Sequence, residues 1–213
     1  MRKQQISDMT KQQLAKALFS FMRIKPLDKI SVTEVAECCD VPRSTFYYHF
    51  EDIYDLASWA LSMKLLECLG EGGTCFLWGD GLKELFRCCH ENYDICRCAV
   101  RGNDVWRMAD SFCDRCMDGI MKGMREFDGG RGTDERFLRY LGLFYGHAVL
   151  ATLIAWFRGD MAEPYEKITA VIDFMVKDGM DSALNNVQNN PEILEALRDG
   201  DSSMPCRAPL LVR

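Results

Sequence analysis

Apolar residues recur along this chain at intervals of three and four positions, and strand-like alternation is almost absent. This spacing gathers apolar side chains on one face of an α-helix, so the pattern predicts an all-α protein. Residues 10–23 form the first predicted helix, which starts with a capping box at Thr10 and ends before Pro26. The inward face of this helix holds Leu14, Leu18, Phe21 and Met22.

The next helix start is predicted at Ser31. Its hydroxyl comes three residues before Glu34, which is the spacing of a second capping box. This helix is short, because an Asp-Val-Pro sequence ending at Pro42 interrupts it, and a third helix is predicted from about Pro42 to His49. Two short helices joined by a tight turn, after a longer helix, predict a helix-turn-helix over residues 1–51.

Helical patterns fill the remainder of the chain. A linking helix is predicted over 52–69, and glycines at 70, 72 and 73 mark a loop after it. The inward face of the linking helix is predicted to hold Leu56, Trp59, Met63 and Leu66. Three further long helices are predicted over 104–127, 134–158 and 164–186. We therefore expect a head domain over 1–51, a helical domain over 52–190, and a short helix with a flexible tail over 191–213.

The net charge of −6 is unevenly distributed along the 213 residues. Residues 1–56 hold eight basic and eight acidic side chains, so the whole negative excess lies after them. This balance argues against nonspecific coating of nucleic acid and is compatible with a sequence-specific binder whose positive charge is local. No apolar run reaches the length of a membrane span and the N-terminus is polar, so we expect a cytoplasmic protein without a membrane partner.

The segment from Val41 to Phe50 combines polar tips with four aromatic rings and a histidine. Phe46 and Phe50 have the spacing of core residues, which leaves the polar tips on the outer face of the predicted third helix. Arg43 can pair with guanine or phosphate, and the hydroxyl and imidazole groups can donate to phosphate oxygens. The composition of this helix therefore indicates contact with the major groove of double-stranded DNA.

Residues 28–56 as a whole resemble the head of the TetR family of one-component regulators. The run Thr45-Phe46-Tyr47-Tyr48-His49-Phe50 matches that family's recognition helix, and Val35-Ala36 and Asp40-Val41 occupy its turn positions. The resemblance implies base-reading positions at Thr33, Arg43, Ser44 and Tyr47. It implies phosphate contacts at Ser31, Thr45, Tyr48 and His49.

Two positions depart from the family pattern. Asp40 stands where glycine is common, although aspartate tolerates a left-handed backbone better than most residues. Ile53 stands where relatives usually carry a lysine that contacts phosphate. We therefore expect DNA affinity to fall less steeply with salt than in a lysine-bearing relative, with Lys25, Lys29, Arg2 or Lys3 replacing part of the lost charge.

The remainder of the chain is similar to the subgroup of that family that contains dihydroxyacetone-kinase regulators. The similarity rests on His90-Glu91-Asn92 with Asp94, and on Trp156, Gly159 and Pro164. It implies a homodimer and an unidentified small-molecule effector. The two long helices at 134–158 and 164–186 are expected to form the dimer interface through Leu141, Ala148, Thr152, Ile168, Ile172 and Met175.

A ligand pocket is expected beside the 104–127 helix, which is rich in methionine and aromatic residues. The alternative is that this stripe is ordinary core packing, since methionine fills irregular gaps in cores. The pocket residues expected on the first hypothesis are Trp106, Phe112, Met117, Met121, Tyr145 and His147.

The eleven cysteines suggest a further alternative, a thiol- or metal-responsive regulator. It would use Cys88, Cys89, Cys96, Cys98, Cys113 and Cys116. Small apolar packing accounts for most of these positions, so we expect neither a metal site nor a cofactor. Motifs of common enzyme classes are absent from the sequence, and we expect no enzyme activity. The leading hypothesis is a homodimeric repressor released from a palindromic operator by its effector; the other alternative is a co-activator that acts through a protein partner.

Overall fold

The computed structural model describes residues 2–69, 75–102 and 105–199, which contain ten α-helices and no strand. We call α1–α3 the head (residues 2–51) and α5–α10 the body (residues 75–199), with α4 between them. The helices are α1 Arg2–Met22, α2 Val32–Cys38, α3 Arg43–His49, α4 Ile53–Leu69, α5 Gly79–Glu91, α6 Tyr93–Arg101, α7 Val105–Asp128, α8 Glu135–Arg158, α9 Tyr165–Val187 and α10 Pro191–Asp199. The all-α prediction is confirmed, whereas the glycine loop at 70–74 and the tail at 200–213 lie outside the described residues.

The first helix starts earlier than its predicted cap. α1 begins at Arg2, and Thr10 lies inside it with its hydroxyl donating to the carbonyl of Ile6 at 3.0 Å. The predicted capping box at Thr10 is therefore wrong. The residues before it contain neither proline nor glycine, so nothing in them stops the helix.

The second capping box is confirmed at Ser31. The Ser31 hydroxyl accepts from the Glu34 amide at 3.2 Å, and the Glu34 carboxylate accepts from the Ser31 amide at 2.9 Å. The turn after α2 passes through Asp40 in the left-handed region, with φ of 53°. Pro42 is the N-cap of α3 rather than its first residue. The turn between α2 and α3 therefore runs from Cys39, the C-cap of α2, to Pro42, the N-cap of α3.

Helix α4 begins at a strong cap and is buried on more than one side. The Asp52 carboxylate accepts from the amides of Tyr54 and Asp55, each at 2.9 Å. Leu56 is buried as predicted, but Met63 and Leu66 are exposed, which corrects their inward assignment. The helix packs against α1, α5 and α7 at once, so its buried positions do not follow a single stripe. Its buried residues are Ile53, Leu56, Ala57, Ser58, Ala60, Ser62 and Leu65.

Two hydrophobic cores meet along α4. The head core joins α1–α3 to Ile53, Leu56, Ala57 and Ala60 of α4, and the body core begins at Leu65. Leu61 lies between them and packs against both cores. The head core also takes side chains from α6 and α7, namely Ile95, Cys98, Ala99 and Met108. The head therefore packs on a surface formed by these four residues of the body, which we call the platform.

The body is built around α7 and α8, which pack closely because of small residues. A side chain at Gly142 of α8 would place its Cβ only 2.7 Å from Ile120 of α7. By length and composition α8 could cross a membrane, but it is a central helix that packs on α6, α7 and α9. Its apolar character is what a core helix of a folded domain requires.

Candidate DNA-reading helix and ligand cavity

Helix α3 is held on the head by its two phenylalanines. Phe46 is fully buried and Phe50 nearly so. Their ring centroids lie 5.9 Å apart, and Phe50 lies 5.6 Å from the ring of Trp59 on α4. Aromatic contacts of this geometry add to the free energy of burial. The inward assignment of Phe46 and Phe50 is correct, and it fixes which face of α3 points outward.

The outer face of α3 exposes Arg43, Ser44, Tyr47 and Tyr48. The guanidinium of Arg43 lies 5.9 Å from the ring centroid of Tyr47, and its Nη2 is 3.4 Å from the Tyr47 hydroxyl. No carboxylate in the described part of the chain forms an ion pair with Arg43. This face therefore presents one cation and several hydroxyl groups to solvent, which is the chemistry that base edges and phosphates accept.

The other four predicted contact residues are either only partly exposed or already hydrogen-bonded within the protein. The Ser31 hydroxyl is engaged with Glu34 in the capping box, and Thr33 and Thr45 are half-buried. Burial lowers the pKa of His49, and the nearby charge of Lys11 lowers it further. His49 is therefore mainly neutral near pH 7 and offers a phosphate a hydrogen bond rather than a charge.

The structure changes what we expect of two positions, Lys25 and Ile53, in the electrostatic binding of DNA. Lys25 is ion-paired with Glu34, with 2.5 Å between Nζ and the carboxylate, so it is not open to DNA as expected. Ile53 is only 7% exposed and belongs to the head core. A lysine substituted at Ile53 would disturb that core as well as add charge. The salt slope of the unmodified protein is therefore the cleaner test of the expected shallow dependence.

The six expected pocket residues do not line one pocket. Trp106 and His147 border an open surface groove, and Met117 and Met121 border a second site on the other part of α7. Tyr145 packs beside Gly179 of α9. His147 itself lies 2.8 Å from the Leu143 carbonyl and 3.0 Å from the Asp110 carboxylate, so both its ring nitrogens have acceptors. Of the six, Phe112 alone lines the apolar cavity described next.

That cavity has a volume of about 100 Å³ and is lined by side chains of α1 and of α4, α5, α6, α7 and α8. The sequence pattern could not find it, because its wall takes one to four residues from each of six helices. The polar side chains on this wall are those of Lys64 and Asn92, together with three thiols. Its lining includes Leu61, Leu65, Leu85, Val105, Ala109, Phe112, Leu150, Leu153 and Phe157. Apolar walls with few polar groups are typical of small-molecule sites.

The cysteines of the alternative hypothesis divide between several places. Cys88, Cys89 and Cys96 border the cavity, and Cys68 of α4 lies with its sulfur 2.7 Å from that of Cys88. Burial raises the pKa of Cys88 and brings that of Cys98 to about 11, which disfavours the reactive thiolate. Cys113 and Cys116 are buried in the body core. Within the described ranges, no three His, Cys, Asp or Glu side chains are grouped to hold a metal ion.

The expected dimer residues are only partly on the surface. Leu141 and Ile172 are buried within the protomer, which removes them from any interface, and Ile168 is half-buried. Ala148, Thr152 and Met175 are exposed. The structure adds larger apolar side chains on the same helices, of which Phe144 is 67% and Phe174 is 70% exposed. The four-residue spacing of Tyr140, Phe144 and Ala148 is the signal that sequence reasoning could have used.

The body also matches a known family. Residues 77–178 match the model of a family described as a transcriptional regulator C-terminal region. The curated HTH-type dhaKLM operon transcriptional activator DhaS of Lactococcus lactis subsp. lactis (strain IL1403) is 28% identical over 86 residues. Together with the capped helix-turn-helix, these matches support one resemblance. The chain resembles the transcriptional regulators of the TetR family.

The relatives of this chain are transcriptional regulators, which agrees with the expectation that it is not an enzyme. The match to the lactococcal DhaS covers 40% of this chain and 46% of the relative, so it spans less than half of either protein. A solved structure titled dihydroxyacetone kinase operon activator DhaS has a TM-score of 0.50 at 17% identity, covering 81% of this chain and 96% of its own. This structural match shows a shared fold. The fatty acid degradation regulator FadR from Bacillus halodurans has a TM-score of 0.47 at 12% identity, covering 78% of this chain and 93% of its own.

Proposed function

We propose that this TetR-like regulator acts as a cytoplasmic homodimer that reads a palindromic operator with α3 and responds to a small molecule bound in its body. The observation that carries the proposal is the two-sided nature of α3. Phe46 anchors one side in the head core, while Arg43 and Tyr47 stand exposed on the other. A helix anchored in this way can enter a major groove as a rigid unit.

The experiment that tests DNA reading is selection of bound duplexes from a random pool. We expect a palindrome whose half-sites are about one helical turn apart, because two α3 helices related by a two-fold axis would read them. Arg43→Ala should weaken binding to the selected site by roughly tenfold to a hundredfold. Lys83→Ala, an exposed substitution on α5, is the control and should leave the affinity unchanged. A pool without enrichment would refute the proposal.

The selected site also allows the salt dependence to be measured. We expect a shallow slope of log K against log salt, because Ile53 supplies no phosphate contact and Lys25 is paired with Glu34. A slope of about −5 or steeper for the dimer would indicate many phosphate contacts and would contradict the expectation.

The exposed apolar residues of α8 and α9 support the proposed dimer. Tyr140 and Phe144 on α8 and Val171, Phe174 and Met175 on α9 all stand exposed in the single chain. Exposed apolar patches of this kind on a soluble protein commonly mark an interface. A second copy related by a two-fold axis would present the same patch, which makes the surface complementary to itself.

Light scattering after size exclusion tests the dimer. Phe174→Glu places two charges near each other across the proposed two-fold interface and should give monomers. Ile24→Glu is the matched control, because Ile24 is equally exposed but lies in the head. If both variants remain dimeric, the α8–α9 face is not the interface.

The direction of regulation is proposed in two forms. The first is repression released by the effector. The second is activation, which the designation of the DhaS relatives as activators favours, and we propose that it would act through a protein partner. A reporter with the selected operator upstream of a weak promoter separates them, since deletion of the regulator raises expression in the first case and lowers it in the second.

A further inference from the structure

The apolar cavity and a second, polar space share one wall. The polar space is a groove of about 380 Å³ between α1, α4 and α6, which we call the outer groove. Phe19, Lys64, Asn92 and Ile95 line both the cavity and the outer groove. The two spaces are therefore neighbours separated by these side chains, and a ligand could extend from one into the other.

The outer groove carries a net positive charge in an otherwise acidic protein. Its charged lining residues are Lys16, Arg23, Lys64 and Glu67, and Lys64 lies 3.5 Å from the Glu67 carboxylate. Lys16 and Arg23 are exposed and form no ion pair with a carboxylate in the described part of the chain. Three cations against one anion, in a protein of net negative charge, favour an anionic ligand group at this position.

The cavity, by contrast, favours an apolar group in the rest of the ligand. Its walls are aliphatic and aromatic, and it measures about 100 Å³. Since an engineered apolar cavity of about 150 Å³ in another protein holds benzene, this one has room for about four carbon atoms. Burial of such a chain is favourable by about 0.8 kcal/mol for each CH₂ group.

We propose that the effector is a small carboxylate with an apolar chain. The chain enters the cavity past Phe19, and the carboxylate remains in the outer groove, where Lys64 and Arg23 bind it. The charge-assisted hydrogen bonds orient the molecule, and the apolar chain supplies most of its affinity. The regulatory consequence rests on the proposed function, whereas binding of the ligand can be measured without DNA.

The location of this site gives it a route to the DNA-reading helix. Phe19 and Lys16 belong to α1 of the head and Arg23 directly follows it, whereas Leu153 and Phe157 belong to α8 of the body. A ligand that contacts both parts favours the head position in which both contacts are made. Its binding and DNA binding are then linked, and each changes the affinity for the other by the same factor.

Isothermal titration calorimetry with three matched compounds tests the chemical class. Hexanoate carries both chain and charge, 1-hexanol carries the chain alone, and acetate carries the charge alone. We expect hexanoate to bind at least tenfold more tightly than either of the other two. Equal binding of hexanoate and 1-hexanol would overturn the anionic part, and equal binding of acetate would overturn the apolar part.

Two variants locate the bound molecule. Lys64→Met keeps the length of the side chain but removes its charge, so hexanoate affinity should fall about tenfold while 1-hexanol affinity stays the same. Ala109→Leu fills the cavity and should abolish binding of both, with a melting curve to verify that the variant is folded. Lys83→Met on α5, which borders neither space, is the control for charge removal.

The outcomes separate this inference from the proposed function. An equal loss of hexanoate affinity in Lys64→Met and Lys83→Met would overturn the assignment of the carboxylate to the outer groove. Absence of hexanoate binding would overturn the ligand class, while a selected palindrome would still support DNA reading. If hexanoate binds, its addition should change the affinity of the protein for the selected DNA site at least fivefold. An unchanged DNA affinity would refute the coupling between the two binding sites.

Discussion

Arg115 on α7 is ion-paired with Asp55 in the first turn of α4. A second pair, Arg107 with Asp52, joins the same two helices at the cap of α4. Both carboxylates come within six residues of the end of α3, so these pairs tie the body to the segment that directly follows the DNA-reading helix. Movement of α7 relative to α4 would have to break or carry this connection.

A double-mutant cycle on Arg115→Met and Asp55→Asn tests the connection. We expect a coupling free energy of about 0.5–1 kcal/mol in urea unfolding, because the two side chains are only partly exposed. The cycle on Glu163 and Lys167, an exposed pair four residues apart, is the control and should give about 0.3–0.5 kcal/mol. A coupling no larger than in this control would show that the interhelical pair adds no more to stability than an ordinary exposed pair.

The Glu34 carboxylate predicts an acid-dependent contribution to stability. Its pKa is lowered from 4.5 to about 2 by the hydrogen bond from Lys25 and by hydrogen bonds from Ser31. A carboxyl whose pKa is depressed on folding stabilises the protein above pH 4.5, and this contribution is lost as the pH falls towards 2. The difference in unfolding free energy between the natural protein and Glu34→Gln should therefore be constant above that window and shrink within it.

Urea titrations over that pH range measure the Glu34 effect. Glu37→Gln is the control, since Glu37 lies exposed on the same helix. A difference for Glu34→Gln that does not change with pH would show that the hydrogen bonds to Lys25 and Ser31 do not depend on the charge.

The left-handed turn at Asp40 predicts an unusual order of substitutions. With φ of 53°, alanine at this position should lower the unfolding free energy by about 1 kcal/mol. Glycine should leave it within about 0.5 kcal/mol of the natural protein, because its relief of strain is offset by a larger loss of backbone entropy. Thermal or urea unfolding checks the order, and Glu37→Ala, in the right-handed α2, should change stability little. If alanine and glycine are equivalent at Asp40, the turn is not strained.

Two glycines of α7 predict opposite effects of the same substitution. Gly119→Ala meets no atom within 4 Å and should stabilise the protein by about 0.5–1 kcal/mol, because alanine favours the helix. Gly123→Ala would overlap the side chain of Cys75 and should destabilise it by about 1–3 kcal/mol. Calorimetric melting of both variants measures the difference. If both variants were more stable than the natural protein, the segment around Cys75 would be able to shift and make room for the added methyl group.

Much of the fold could be predicted because its signals are local. The Ser31–Glu34 capping box, the Asp40 turn and the buried pair Phe46 and Phe50 each depend on residues within a few positions of one another. The start of α1 was misjudged because Thr10 has the sequence of a cap while the residues before it can also be helical.

The apolar cavity could not be predicted, for a different physical reason. Lys64, Ala109 and Leu153 come from three helices, and no periodicity within one helix indicates that they face the same space. Met63 and Leu66 were misassigned because α4 touches neighbours on several sides and a single apolar stripe does not describe it. Sequence patterns identify which helices exist, whereas the cavity depends on how they pack.

The packing of Ile95 and Met108 into the head core bears on how this regulator can be divided. A fragment ending at residue 51 would lose α4 and the platform. The side chains of Leu18, Val35 and Phe50, which are buried in the head core, would then become exposed to water. Such a fragment should not fold by itself, since a small helical unit has little apolar burial to spare. The reading head is therefore unsuited to transfer as a separate module, and any chimera needs α4, α6 and the start of α7 from the same chain.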